Sequence, residues 1–293
     1  MIPPAPDVRT LEELKSFGVI NLDKPPGPTS HQVSTWIREL TESQKAAHAG
    51  TLDPKVTGCL PVFLNRATRV IPALQTSVKT YIAVLEVHKS IPPNFESIIQ
   101  EFEGEIYQKP PQKSAVKREL RTREIHNIDI LETQQRKILL QIRCASGTYI
   151  RKLCHDIGLV LGTGAHMGDL RRIETTPFDD RDLSTLHEVA DGMAEYRQND
   201  NADWIRDVLE PGETALSHLP SITIAPSAAQ EVANGAPVYS PGIIDIEGDP
   251  NSNSLVACYT PNATAICIGN YHPDATSDDP VVTLERVLVP TQS

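Results

Sequence analysis

Apolar residues change their spacing several times along the chain, and each spacing predicts an element. The run "FGVINLD" ends in the Pro/Gly turn "KPPGPTS" and reads as a buried strand followed by its exit. In "SHQVSTWIRELTES", Val33, Ile37 and Leu40 share one face at helical spacing, with Ser30 as the candidate N-cap. "KTYIAVLEV" alternates instead, which puts Tyr81, Ala83, Leu85 and Val87 on one side of a strand. "RKILLQIRC" is a further strand. A Ser-Gly turn then opens a helix whose Ile150, Leu153, Cys154, Ile157 and Leu161 form an apolar stripe. Strands and helices mix without regular alternation, so the fold class is α+β.

The pattern changes near Asp191. Residues 191–215 are polar and acidic, with one amphipathic patch at Trp204, Ile205 and Leu209, and read as a connector. Beyond Ser217 come short apolar runs, "SLVACYT", "TAICIGNY" and "VVTLERVLVP", separated by Asn, Pro, Asp and Gly clusters, which predict a small all-β module. A chain of 293 residues suits about two domains, placed at 1–215 and 217–293.

Composition narrows the chemistry. No apolar stretch is long enough for a secretion signal or a membrane span, which points to a cytosolic protein with no membrane partner. The five cysteines form no CxxC pair and the histidines lack zinc-ligand spacing, so neither a disulfide framework nor a metal site is expected. "GTGAHMG" imitates a dinucleotide fingerprint, but its glycines are spaced GxGxxxG and it follows a helix, so no nucleotide cofactor is implied.

Net charge is −11, yet it is divided unevenly. Residues 1–172 hold 23 Lys and Arg against 18 Asp and Glu, net +5; residues 173–293 hold 4 against 20, net −16. Such asymmetry marks the first part as the side that faces a polyanion. The cations concentrate in "KPPQKSAVKRELRTRE", where a loop and short strand would present Lys113, Lys117, Arg118, Arg121 and Arg123 to a phosphate backbone.

One carboxylate stands out. In "HAGTLDPK", Gly50 permits backbone angles that other residues resist, and Pro54 pushes Asp53 toward an extended conformation. The segment is either an ordinary turn or a mount for an aimed acid. Further on, Arg151 opens a helix next to Tyr149, at the end where the helix dipole favours anions. Arg151 is either a free surface cation or the partner of a carboxylate such as Asp53.

In this order, "FGVINLDKPPGPTSHQV", "HAGTLDPKVTGCLPV", "KTYIAV", "PPQKSAVKRELRTRE", "ASGTYIRKLCHDIG" and "GAHMGDLRRI" resemble the successive motifs of the TruB/dyskerin family of pseudouridine synthases. The fourth and sixth segments are similar to the archaeal and eukaryotic branch, the catalytic subunit of H/ACA RNA-guided particles. The tail, particularly "NGAPVYSPGI", resembles a PUA domain. The resemblance implies a pseudouridine synthase catalytic domain followed by a PUA-like RNA-binding barrel. It also implies isomerisation of uridines in rRNA, with guide RNA and small particle proteins as partners and no cofactor. Asp53 would be the catalytic aspartate, Arg151 its ion-pair partner and Tyr81 the aromatic against the target base. Tyr149 and Leu170 would be pocket walls, His48 would help extrude the uridine, and Lys24 would support the turn. A guide-independent enzyme acting on the tRNA T-loop, and an RNA-binding scaffold with little catalysis, are the alternatives. Three departures accompany the resemblance: Ala47 and Ala49 flank His48, the N-terminal segment is short for the H/ACA branch, and the tail from residue 173 offers only Arg181, Arg197, Arg206 and Arg286 as cations.

Overall fold

The computed structural model describes residues 2–110, 117, 119–276 and 278–290. Ten strands form the larger sheet. Its main path runs Glu210–Pro211, Gly18–Lys24, Thr57–Leu64, Ala165–Thr175, Lys79–Val87, Lys137–Cys144, Arg121–Gln134, Gly104–Gln108. Neighbours are antiparallel except at one place, where Thr57 and Gly58 run parallel to Arg171 and Arg172. Gly18–Lys24 and Thr57–Leu64 are apolar on both faces and buried along almost their whole length, as central strands should be.

Two cores cover this sheet. In one, Leu85, Leu140, Ile142, Leu153 and Ile157 pack the helix Ile150–Val160 against the antiparallel half. In the other, Ile20, Leu22, Leu60 and Val62 pack against Val33 and Ile37 of the helix Ser30–Leu40. Tyr81 and Leu170 touch both cores from their margin.

The helix Ser30–Leu40 corrects one expectation: Thr29, not Ser30, is its N-cap, in a reciprocal capping box with Gln32. Ser30 is the first helical residue, and its hydroxyl turns inward.

The stretch 191–215 also differs from the expected connector. It lies in the helices Leu186–Asn199 and Asp203–Val208 and a short edge strand, with Val189, Met193, Ile205 and Leu209 buried against the sheet. Acidic residues on the outward face masked that stripe in the composition. Gly192 brings the two helices together, since a Cβ there would come within 2.9 Å of the Ile205 nitrogen.

The C-terminal domain is a six-stranded sheet in the order Val238–Tyr239, Pro280–Val287, Ala265–Tyr271, Leu255–Tyr259, Ser221–Ile224, Ile243–Glu247. The three apolar runs of the sequence supply its middle strands. A helix, Pro226–Ala233, packs Ala229 and Val232 against Ile222, Val256 and Ile266, an element that strand and turn signals alone did not reveal. Phe17, Phe63, Val70 and Leu74 share a further core with Ala257, Ile268 and Leu288, so the two domains meet through buried apolar surface.

Candidate active site

The loop that carries Asp53 enters the strand Thr57–Leu64 at the parallel joint of the sheet. It is held from outside, through its main chain. Lys24, wholly buried, donates from Nζ to the carbonyls of Pro25, Pro54 and Val56 at 2.9, 3.0 and 3.0 Å. Burial lowers the pKa of that ammonium, and the carboxylate of Asp53 opposes the effect. The Ser30 hydroxyl accepts from the Leu52 amide at 2.8 Å and donates to the Leu52 carbonyl at 3.0 Å. Gly27 donates its amide to Pro54 at 2.8 Å, and Gly50 takes φ +86°, where a side chain would be strained. The Asp53 side chain, about half exposed, is left pointing out of a turn with fixed backbone.

Arg151 meets it there. Its guanidinium donates to the Asp53 carboxylate, an ion pair spanning 98 positions of sequence. Tyr149 is the N-cap residue of this helix, and Gln108 grips its backbone twice, accepting from the amide at 2.9 Å and donating to the carbonyl at 3.2 Å. Asp53 thus compensates a cation at the end of a helix where cations are disfavoured.

Tyr81 and Leu170 stand on adjacent strands beside the loop. Tyr81 pairs across the sheet with Arg172, and Ala83 with Leu170. Burial pushes the Tyr81 phenol above its ordinary pKa, and the Arg172 guanidinium pulls it partly back. His48 ends the strand Ala46–His48, and its Nδ1 is buried without a hydrogen-bond partner. Burial, then Arg172, then His31 lower the pKa of His48, so the ring is neutral at physiological pH.

The basic residues fare differently. Lys113 and Arg118 lie outside the described residues. Lys117 is exposed and pairs with Glu119. Arg121 donates to the Lys117 carbonyl at 3.3 Å, and Arg123 packs over Gly147 in the turn before Tyr149. They start the strand Arg121–Gln134, much longer than the short strand expected. Near Arg151, a hollow of about 650 Å³ is lined by Lys109, Lys152, His155 and His166, so further cationic and imidazole groups border the ion pair.

Three residues of this site escaped the sequence reading. Ser30 was taken for a cap, and Gln108 and Arg172 went unremarked. Only Arg172 left a signal. Adjacent residues of a strand face opposite sides, so in "LRRI" of a central strand one arginine must enter the protein. Arg171 pairs outward with Asp23 at 2.9 and 3.2 Å, while Arg172 is 1% exposed.

Comparison with known proteins settles the class of enzyme. The model for the TruB family pseudouridylate synthase N-terminal domain matches residues 38–94 and 89–150, and that for the tRNA pseudouridylate synthase B C-terminal domain matches 151–217. A DKCLD domain model matches 4–34 and a PUA domain model 220–277. The chain belongs to the TruB family of pseudouridine synthases. It is 57% identical over 98% of its length to a probable tRNA pseudouridine synthase B of Halobacterium salinarum, covering 99% of that protein. With the corresponding protein of Pyrococcus abyssi it shares 46% over 90%, covering 80% of it. Among solved structures, the chain matches one in a Cbf5-Nop10-Gar1 complex with TM-score 0.93 and 41% identity, over 99% of this chain and 90% of that one. It matches one in an H/ACA RNP bound to a substrate RNA containing 2'-deoxyuridine with TM-score 0.91 and 39% identity, over 99% and 90%.

Proposed function

We propose that this synthase isomerises specific uridines of rRNA to pseudouridine as the catalytic subunit of an H/ACA guide-RNA particle, together with small particle proteins. One observation carries the reading: the likeness to chains in H/ACA assemblies extends over 99% of this chain, N-terminal segment and C-terminal domain included. Residues 1–215 form the catalytic domain and 217–293 the RNA-binding domain in this scheme. Lys117, Arg121 and Arg123, with Lys113 and Arg118, serve as phosphate contacts. No described helix is long and apolar enough to cross a membrane, which suits an enzyme working on RNA in the cytoplasm.

The reaction breaks the C1′–N1 bond of uridine and forms C1′–C5, with a proton lost from C5 and one gained at N1. No electrons enter or leave. The chain must supply a nucleotide taken out of its stack, a nucleophile or base at the sugar, and a pocket that keeps the free base. In our scheme Asp53 acts on the target nucleoside and Arg151 fixes its orientation. Tyr81 lies against the base, Leu170 and Tyr149 wall the pocket, neutral His48 helps hold the uridine extruded, and Lys24 stiffens the turn. Asp53→Asn in the particle reconstituted with guide and partner proteins should lower pseudouridine formation at least ~10³-fold while substrate RNA still binds. Undiminished activity would leave Asp53 without its role.

A second reading has its own support, because the relative with 57% identity carries the name of a tRNA pseudouridine synthase. Conversion of a T-loop uridine in unmodified tRNA by the chain without guide would establish it. A pure scaffold role is excluded if the particle loses activity with Asp53→Asn.

A further inference from the structure

Arg172 is a buried cation of the site, and among the described residues it pairs with no carboxylate. Its hydrogen bonds go elsewhere. Nε donates to the Cys59 carbonyl at 2.8 Å and a terminal nitrogen to the Gly50 carbonyl at 3.2 Å. It stands opposite Tyr81 in the sheet, and its charge bears on the phenol. One guanidinium therefore ties the strand that follows Asp53 to the loop that precedes it, beside the tyrosine. Gly58 makes room for this, since a Cβ there would lie 2.1 Å from the Arg172 carbonyl.

A buried charge without a counterion is costly unless something anionic comes to it. The reaction supplies such a charge. When C1′–N1 breaks, the bonding pair passes to the base, which is briefly an anion spread over the ring and its carbonyl oxygens. The charge is consumed when C5 bonds to C1′, C5 releases its proton and N1 takes one up.

We propose that Arg172 is a positioning residue of this synthase: anchored on two main-chain carbonyls, it sets a fixed positive charge beside the Tyr81 phenol and, through that phenol, stabilises the negative charge on the detached uracil. The inference rests on the reading of the site given above. Fixed charges aimed at a developing anion in a water-poor pocket are among the largest contributions to enzymatic rates. The charged and titratable groups that bear on the phenol are Arg172, on its neighbouring strand, Cys144 and Cys59. The same guanidinium lowers the pKa of Lys79 and of His48. Arg172 is thus the cation that bears directly on Tyr81.

The test uses the reconstituted particle with 3-fluorotyrosine in place of Tyr81, whose ionisation is followed by fluorine NMR. Arg172→Gln should raise the phenol pKa and lower the single-turnover rate about 10- to 100-fold with KM for substrate RNA unchanged. Arg172→Lys, which keeps the charge and loses the forked bonds, should lower the rate while moving the phenol much less. A phenol pKa unmoved by Arg172→Gln overturns the proposal, as does a rate loss matched by the same loss of RNA binding. If Arg172→Gln does not fold, the parent particle still decides. Fluorinated tyrosines of lower phenol pKa at position 81 must shift the pH–rate profile by their own difference, and a profile indifferent to them overturns the proposal. The phenol titration needs no turnover, so an inactive parent would sink the functional reading and leave this measurement standing.

Discussion

Asp53 reaches solvent because three side chains, Lys24, Ser30 and Arg172, hold the main chain around it. Gly50 and Pro54 left open whether Asp53 is aimed, and the misfit of a cation at a helix start left open whether Arg151 is paired; the ion pair between them answers the second question. The supports were not legible, because a buried serine or lysine spells nothing in sequence until the fold brings a carbonyl to it. Lys79 illustrates the point. It reads as a surface lysine opening a strand, yet it is buried and donates to the Leu74 and Ser77 carbonyls at 2.9 and 2.7 Å. Burial lowers its pKa to about 8, far below the value of an unfolded lysine, about 10.4. Between these values the unfolded chain binds more protons than the folded one, so this group makes stability rise with pH. Urea titrations of the parent and Lys79→Met at pH 7.5, 9 and 10 should therefore show a stability difference that moves in the parent's favour as pH rises. A constant difference would mean that Lys79 titrates normally.

At the level of elements, the parallel joint between Thr57–Leu64 and Ala165–Thr175 determines where the site forms. Only two residue pairs make it, and one is Gly58 with Arg172. Gly58 takes φ +97° and has no space for a side chain. Gly58→Ala should cost about 3 kcal/mol or more in urea unfolding, because backbone strain and a main-chain clash add. A cost under about 1 kcal/mol would show that the joint adapts. Sequence periodicity found Gly18–Lys24 and Lys79–Val87, which flank the joined pair, but neither of the two strands that make the joint, and alternation along one strand does not name its neighbour. It likewise missed the helical pair Leu186–Asn199 and Asp203–Val208, where acidic residues dilute the buried stripe of Val189, Met193 and Ile205.

In the whole molecule, the N-terminal segment, the catalytic domain and the C-terminal domain converge on Glu213. Its carboxylate accepts from both terminal nitrogens of Arg9 at 2.9 and 2.7 Å and from the Ala265 amide at 3.2 Å. The Arg9 side chain is 1% exposed and that of Glu213 10%. Arg9→Ala strands a buried carboxylate and should cost about 3–5 kcal/mol, whereas Arg9→Met combined with Glu213→Leu should recover most of it. Chemical unfolding of the singles and the double decides; a double as unstable as Arg9→Ala would mean that packing, not charge, explains the loss. Composition suggested a division near residue 216, but it left no trace of this clasp, whose partners lie 204 positions apart.

The apolar seam shared by Phe63, Val70 and Leu74 with Ala257, Ile268 and Leu288 has a consequence for how the ligand is met. Prising the halves apart would wet that seam, so they arrive at RNA already aligned, and association carries no further loss of freedom for setting one against the other. A long nucleic acid then has to match a fixed template, and its own bending, rather than any closing jaw, decides which uridine comes to rest at Asp53.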